Sequence, residues 1–195
     1  MNGPVGSFVS TDSQTPDASA PVIAAPAIGR APELLAIEPL TAEAFRPFGT
    51  VIEADPGSMR LINGGTTERY HALAEAEALG DGARVIVSLF RGRPRSFPYH
   101  VGMMERHPEG SQSFSPIDDR PWLVIVAADE GGRPGVPRVF RASGRQGINY
   151  RANVWHHPLM TYGALQDFIV VDRAGPGANL EEHVYAVPFL IETPE

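Results

Sequence analysis

Two short stretches of the chain combine histidine with carboxylate and amide side chains. In the first stretch, Glu105 and His107 stand two residues apart and Gln112 follows five residues later. Successive side chains of a strand point to opposite faces, so Glu105 and His107 would share one face while Arg106 takes the other. A turn at Pro108 would bring Gln112 back toward the face of His107. A carboxylate, an imidazole and an amide would then converge, and such groups bind metals or transfer protons.

The second stretch, residues 144–158, contains the pair His156 and His157 near its end. Strand alternation places the two imidazoles on opposite faces, so only one of them can join a site inside a barrel. We expect the other to face solvent or a partner subunit. The two stretches together predict an interior site with two imidazoles, one carboxylate and one amide.

The elements that must position these side chains are mostly strands. Apolar or alternating runs predict strands at 48–53, 84–90, 97–107, 112–116, 122–128, 136–141, 153–157, 165–172 and 183–191. Two short helices are predicted as well, one at 42–45 after Thr41 as N-cap, the other within 71–79, whose Ala and Glu content favours helix. Many short strands separated by Gly and Pro indicate an all-β sandwich, barrel or jelly roll.

The composition narrows the chemistry further. The 195 residues include no Cys, and all 16 residues of the Lys and Arg total are Arg, which excludes thiolate nucleophiles, disulfides and Schiff-base lysines. A net charge of -7 argues against nucleic-acid binding, which needs a basic surface to displace counterions. The apolar run 122–128 is far shorter than the roughly 20 residues that span a bilayer. We therefore expect a soluble, cytoplasmic protein without nucleic-acid or membrane partners.

Residues 1–32 differ in composition from the remainder of the chain. They are rich in Ala, Pro, Ser, Thr and Gly, and their charged residues are Asp12, Asp17 and Arg30. Such a segment buries too little apolar surface to fold, so we predict a disordered tail. Residues 33–195 would then form a single domain with one core.

The spacing of the candidate site residues resembles the two motifs of cupins. In the first cupin motif, two histidines one residue apart are followed by a carboxylate; here Glu105 replaces the first His and Gln112 the carboxylate. The run Arg151-x-Asn153-x-x-His156 resembles the second motif, in which Pro and Gly stand at the first two of these positions. The candidate ligands on this alignment are Glu105, His107, Gln112 and His156. The resemblance implies a cupin-type double-stranded β-helix, or jelly-roll barrel, with a few short helices.

Several ordered blocks resemble one cupin family in particular, the ureidoglycolate lyases of allantoin degradation, from about Leu34 to Glu192. The matching blocks are Ile-Asn-Gly-Gly at 62–65, Glu-Arg-Tyr-His at 68–71, Glu-Arg-His-Pro at 105–108, Gln-Gly-Ile-Asn-Tyr at 146–150 and Asn-Val-Trp-His-His-Pro at 153–158. Several blocks in a fixed order are far more specific than one cupin motif.

The resemblance implies that (S)-ureidoglycolate, a small anion, is cleaved at a carbon–nitrogen bond to glyoxylate and urea. That reaction needs an anchor for the carboxylate, a base and an acid. Glu105, His107 and His156 are the predicted catalytic residues. The predicted substrate-binding residues are Arg69, His71, Arg106, Asn149, Arg151 and Asn153. Among these, one or more of the arginines would hold the substrate carboxylate, because a guanidinium fork offers it two hydrogen bonds.

The four candidate ligands would either bind a divalent metal or act directly as acid, base and positioning groups. Two imidazoles with oxygen ligands suit a borderline ion such as Ni²⁺, which the resemblance also suggests. Gln112 in place of a carboxylate lowers the charge of the site and its metal affinity. The resemblance further implies a homodimer that pairs through edge strands. Three other functions stay open: a ureidoglycolate hydrolase that releases ammonia, a cupin isomerase of sugar acids, and a non-catalytic anion sensor.

Overall fold

The computed structural model describes residues 31–195, and strands dominate this part of the chain. The strands are β1 (Ile37–Pro39), β2 (Gly49–Ile52), β3 (Met59–Ile62), β4 (Thr67–Tyr70), β5 (Arg84–Gly92), β6 (Tyr99–Arg106), β7 (Gln112–Pro116), β8 (Trp122–Ala127), β9 (Arg138–Ala142), β10 (Gly147–Tyr150), β11 (Trp155–His156), β12 (Gln166–Ala174) and β13 (Glu181–Ile191). A short helix, α1, spans Ala42–Phe45, and two 3₁₀ turns occupy Pro56–Ser58 and Asn63–Gly65.

Two sheets pack face to face and enclose the main core. One sheet has the strand order β1-β9-β8-β11-β6-β13 and the other β2-β10-β7-β12-β5, while β3 and β4 form a separate hairpin. Aromatic side chains fill the space between the sheets: Trp122 and Phe168 meet with ring centroids 4.9 Å apart, and Phe114 packs beside both. A second apolar cluster, which includes Leu123 and Ile125, covers the other face of the six-stranded sheet. The predicted all-β, cupin-type fold is confirmed.

Nine predicted strands are present, with boundaries that differ by a few residues from the prediction. The predicted helix at 42–45 is also present, and the Thr41 hydroxyl accepts a hydrogen bond from the Ala44 amide at 3.2 Å. Four strands were not predicted, namely β1, β3, β4 and β10, which are only three or four residues long. Such short elements carry too little periodic pattern to stand out from a loop.

The predicted helix within 71–79 is wrong. This segment runs without helical hydrogen bonds along the outer side of the five-stranded sheet, and Ala72 has a φ of 53°. Its polar backbone groups bond instead to the turn between β6 and β7: the Glu77 amide donates to the Ser111 hydroxyl at 2.7 Å and the Leu79 amide to the Glu109 carbonyl at 2.8 Å. These tertiary bonds override the helix propensity of its Ala and Glu residues.

Almost all of the predicted tail, residues 1–32, lies outside the described residues. Within residues 31–195, no helix is long and apolar enough to cross a membrane.

Candidate functional site

A carboxylate and two imidazoles meet in the interior of the barrel. His156 on β11 pairs across the sheet with Glu105 on β6, which places their side chains side by side on the same face. His156 Nε2 lies 3.6 Å from Glu105 Oε1. His107 follows β6 directly, and one potential ligand atom from each of the three residues falls within 4.8 Å of the others. The alternation argument for Glu105 and His107 therefore holds in three dimensions.

His107 is held by backbone atoms on both sides. Its Nδ1 donates to the Asn179 carbonyl at 2.7 Å, and its own carbonyl accepts a hydrogen bond from the Asn153 amide at 2.7 Å. Asn153 has a φ of 67°, the left-handed region that Gly adopts freely and Asn tolerates better than most residues. Asn153 thus performs the backbone task of the Gly in the usual second cupin motif. Its contact with His107 is through the backbone amide.

His156 is buried, and a backbone carbonyl and an aromatic ring hold its imidazole in place. Its Nδ1 donates to the Val154 carbonyl at 2.8 Å, and the Tyr150 ring stacks on it with centroids 4.3 Å apart. Burial lowers the pKa of His156 to about 3, with a smaller contribution from the nearby imidazoles, so this ring is neutral near pH 7. The Nδ1 atoms of both histidines donate to backbone carbonyls, so each Nε2 is the ring atom left for a ligand.

Glu105 and Gln112 complete the polar surface of the cluster. Burial raises the pKa of Glu105, the nearby His107 lowers it and Glu182 raises it further. A carboxylate with a raised pKa is a stronger base than an exposed one. Gln112, at the start of β7, is 8% exposed and pairs with Tyr150 on β10. It therefore reaches the same interior face as the cluster, as the sequence predicts.

Two cavities flank the cluster, and Gln112 lines both of them. A cavity of about 220 Å³ is lined by His107, Gln112 and Asp172, among others. A cavity of about 550 Å³ is lined by Glu105 and Gln112 and by three arginines, Arg91, Arg93 and Arg95. The carboxylate of Asp167 holds Arg91 through two hydrogen bonds of 2.8 Å. The side chains of Arg93 and Arg95 make no hydrogen bond or ion pair with any residue in 31–195.

The donor set fits a divalent metal. The Nε2 atoms of His107 and His156 are buried and lack a hydrogen-bond partner among the described residues. A buried polar nitrogen without a partner is costly, and metal coordination is one way to satisfy it. In many metal sites the second ring nitrogen of a ligating His donates to a backbone carbonyl, which both of these residues do. Glu105 and Gln112 supply oxygen atoms on the same face.

The other predicted substrate-binding residues lie elsewhere in the described chain. Arg106 points to the opposite face of β6, where it contacts Asp129 at 3.0 Å, pairs with Glu181 and covers the Trp155 ring at 4.4 Å. Arg69 lies on the hairpin opposite Arg60. The His71 amide donates to the Ser58 carbonyl at 3.2 Å, and its Nδ1 is buried without a partner among residues 31–195. The structure does not bring these three residues to the Glu–His cluster.

Asn149 and Arg151 lie on the outer side of the five-stranded sheet. Asn149 alternates with Ile148 and Tyr150, whose side chains fill the core, and its Nδ2 donates to the Glu75 carbonyl at 3.3 Å. The Arg151 guanidinium donates to the carbonyls of residues 46 and 47. Both residues line a separate cavity of about 350 Å³, beneath the segment 72–77.

His157 and Asp172 are two further differences from the sequence interpretation. His157 is 4% exposed and its Nε2 lies 3.1 Å from the Tyr99 hydroxyl, so the expectation that it faces solvent or a partner is wrong. Burial lowers the pKa of His157 to about 4. The sequence analysis did not single out Asp172 as a site residue. A signal was present, because Phe168, Val170 and Asp172 alternate along one strand and the first two are core residues.

An all-β barrel with imidazole and carboxylate side chains directed inward defines the chain as a cupin-type protein. Comparison with known proteins identifies the family more closely: residues 32–192 match the family model of ureidoglycolate lyase, and the chain belongs to this family. A protein named ureidoglycolate lyase from Rhizobium etli (strain CIAT 652) is 71% identical over 163 residues, 84% of this chain and 98% of that relative. Ureidoglycolate lyase 1 of Rhizobium meliloti (strain 1021) is 69% identical over 161 residues, 83% of this chain and 95% of the relative. Ureidoglycolate lyase of Brucella anthropi is 56% identical over 162 residues, 83% of this chain and 96% of the relative.

Proposed function

We propose that this protein is a ureidoglycolate lyase, which cleaves ureidoglycolate into glyoxylate and urea. The observation that carries the proposal is the convergence of Glu105, His107 and His156 beside a cavity with two uncommitted arginines, in a member of the ureidoglycolate lyase family. The substrate has a carboxylate, a hydroxyl and a ureido group on one carbon. The site offers a cation for the carboxylate, a base for the hydroxyl and polar groups for the ureido group.

The reaction needs one proton to move from oxygen to nitrogen. Glu105 takes the hydroxyl proton, and the electron pair left on that oxygen forms the carbonyl of glyoxylate. The carbon–nitrogen bond breaks, its electrons stay on the nitrogen, and the Glu105 carboxyl returns the proton to that nitrogen as urea leaves. The raised pKa of Glu105 suits both halves of this transfer, because the carboxyl must accept a proton and then release it. No water is consumed.

Arg93 and Arg95 are the proposed anchors for the substrate carboxylate. Both line the cavity that Glu105 faces, whereas Arg106 and Arg151 are bonded to other groups on the outer faces of the sheets. A guanidinium without a competing carboxylate is free to make a bidentate pair with the substrate. Replacing Arg93 and Arg95 with Gln is expected to raise KM for ureidoglycolate about tenfold or more.

In an alternative to direct proton transfer by Glu105, the cluster holds a divalent metal, and the proposed ligands are then Glu105, His107, His156 and Gln112. A divalent ion held there would polarise the substrate hydroxyl and lower its pKa. Two imidazoles with oxygen ligands suit a borderline ion such as Ni²⁺. Metal analysis of the purified protein, followed by activity measurements before and after chelation, tests this assignment. Full activity of metal-free protein would contradict it.

The proposed assembly is a homodimer formed through β5. This strand ends the five-stranded sheet, and its outer face with that of β12 carries an exposed apolar stripe of Val85, Val87, Leu89 and Ile169. The edge of the other sheet is less suited to pairing, because β13 contains a register shift and Pro188 and is bonded to Glu33 and Leu35. A two-fold axis through β5 would pair the stripe with its own copy.

Incubation with racemic ureidoglycolate tests the activity. We expect glyoxylate and urea in equal amounts, produced faster than by spontaneous decay, until about half of the substrate is consumed if one enantiomer is used. Ammonia formed without urea would indicate the hydrolase instead. No glyoxylate above the spontaneous rate would contradict the proposed function and leave an anion sensor or an isomerase as the alternative.

A further inference from the structure

We propose that Asp172 binds the terminal NH₂ of the ureido group and so selects ureidoglycolate among related α-hydroxy amides. This inference rests on the proposed function and assigns a role to a residue outside the Glu–His cluster. It begins with the position of Asp172 on β12. Phe168 and Val170 of the same strand are completely buried in the core between the sheets. Alternation directs Asp172 toward the same interior.

The strand register places Asp172 beside Gln112. Val171 pairs with Ser113 on β7, so the next step along the antiparallel pair brings Asp172 opposite Gln112. Both residues line the cavity of about 220 Å³ together with His107. The carboxylate of Asp172 thus shares this cavity with His107, and Gln112 separates it from the arginine-lined cavity.

The Oδ1 atom of Asp172 is buried and has no hydrogen-bond partner among the described residues. A buried carboxylate oxygen without a donor costs folding free energy, so a donor from a ligand would be stabilising there. The nearby guanidinium of Arg173 does not serve, because it pairs with Glu109 and donates to the carbonyls of Leu79 and Pro176.

The charges of the two cavities fix the orientation of the substrate. The substrate carboxylate is attracted to Arg93 and Arg95 and repelled by Asp172, whereas the ureido group is neutral and rich in N–H donors. Ureidoglycolate would therefore lie across Gln112 with its carboxylate in the larger cavity and its NH₂ against Asp172. The carbon that carries the hydroxyl then lies next to Glu105. Repulsion of the wrong orientation contributes to selectivity as much as attraction of the right one.

The test compares two substrates that differ only at the group Asp172 would recognise. N-acetyl-α-hydroxyglycine has a methyl group where ureidoglycolate has the terminal NH₂. We expect D172A to lower kcat/KM for ureidoglycolate about 10- to 100-fold, the loss of one hydrogen bond to a charged group, and to leave kcat/KM for the acetyl compound within about threefold of wild type. D172N keeps one accepting oxygen, so its kcat/KM for ureidoglycolate should lie between the values of D172A and wild type. Intrinsic differences between the substrates cancel because each variant is compared with wild type.

Thermal unfolding separates a binding role from a structural one. If Asp172 serves the substrate, D172A and D172N should unfold at a temperature close to that of wild type, because the buried Oδ1 that they replace has no partner and at most the contact with Gln112 is lost. D119N is the control: Asp119 pairs with Arg145 on the surface and lines neither cavity, so its replacement should leave the substrate preference unchanged.

Three results would overturn the assignment. An equal loss for both substrates, or no loss for either, contradicts the recognition of the NH₂ by Asp172 while leaving the lyase activity intact. A change of preference in D119N equal to that in D172A contradicts it as well. Absence of glyoxylate from the wild-type protein overturns the proposed function itself, and the role of Asp172 with it.

Discussion

The space between the two sheets has two ends of opposite character, although the same strands line both. At one end, Phe114 on β7 and Phe168 on β12 pack against Trp122 with ring centroids no more than 6.3 Å apart. At the other end, Gln112 is the next inward residue after Phe114 on β7, and Asp172 comes after Phe168 and Val170 on β12. On β7, two residues separate a dry aromatic core from the polar site that contains Glu105, His107 and His156.

The difference distinguishes an end that stabilises the fold from the end proposed for chemistry. Burial of the aromatic rings contributes favourable free energy in proportion to the apolar area removed from water. At the polar end, the Nε2 atoms of His107 and His156 and the Oδ1 atom of Asp172 are buried without partners among residues 31–195. Such atoms reduce stability, and their concentration beside two cavities indicates binding and catalysis.

The largest expected effect is on activity and comes from E105Q at the polar end. Removing the proposed proton carrier should lower kcat about 100- to 10,000-fold, measured as glyoxylate formation. The free energy of unfolding should change by less than about 1 kcal/mol, because the substitution is isosteric and removes a buried charge. A large loss of stability with kcat retained would reverse the assignment of the two ends.

F168A tests the aromatic end. Phe168 is fully buried against Trp122 and Phe114, so the cavity left by its removal should lower the free energy of unfolding by about 3–5 kcal/mol. Denaturant titration measures this loss. Activity per folded molecule should stay close to wild type at a temperature where the variant is folded. An activity loss as large as that of E105Q would show that the two ends are not separable.

V87E tests whether the outer face of β5 forms the proposed dimer interface. Val87 is 69% exposed on β5, and a charge there should prevent close contact between two copies of the apolar stripe. Light scattering after gel filtration should give the mass of a monomer for V87E and of a dimer for wild type. Val184, 70% exposed on β13, provides the matched control: V184E should remain dimeric. A monomeric wild-type protein would contradict the proposed dimer.

The smallest expected effect is on the pH dependence of the free energy of unfolding, through Tyr185. Tyr185 donates to the Gly135 carbonyl at 2.8 Å, and burial raises its pKa above 10 with a smaller contribution from Glu130. The folded state therefore binds the phenolic proton more tightly than the unfolded state. Its contribution to stability is complete below pH 10 and declines as the pH rises through the unfolded pKa. Between pH 8 and pH 11, Y185F should lose about 1 kcal/mol less stability than wild type, allowing for partial solvent screening. Equal losses in the two proteins would contradict this.

Alternation along strands made a large part of the site predictable. The period of a strand alone predicts that Glu105 and His107 share a face and that only one of His156 and His157 joins the site. The resemblance to the second cupin motif pointed to His156. The helix expected within 71–79 failed for a different reason. Its backbone groups bond to residues far away in the sequence, and local propensity contains no information about such partners.

The arginines show the same limit of prediction from local sequence. Arg106 and Arg151 lie inside the sequence motifs, yet the structure commits them to Asp129, Glu181 and the carbonyls of residues 46 and 47. Arg93 and Arg95 lie outside every motif and line the cavity beside Glu105. Motif membership records proximity along the chain, whereas a substrate anchor is chosen by proximity in space.

The sequence by itself determined the family, the all-β architecture and the identity of the Glu–His cluster, because ordered motifs and the strand period are local properties. Only the tertiary structure decided which nitrogen and oxygen atoms are buried without partners, which arginines remain uncommitted and that Asp172 adjoins Gln112. These features arise where strands distant in the sequence are brought together by burial of the aromatic core. Their energies depend on solvent exclusion, which a linear pattern does not contain.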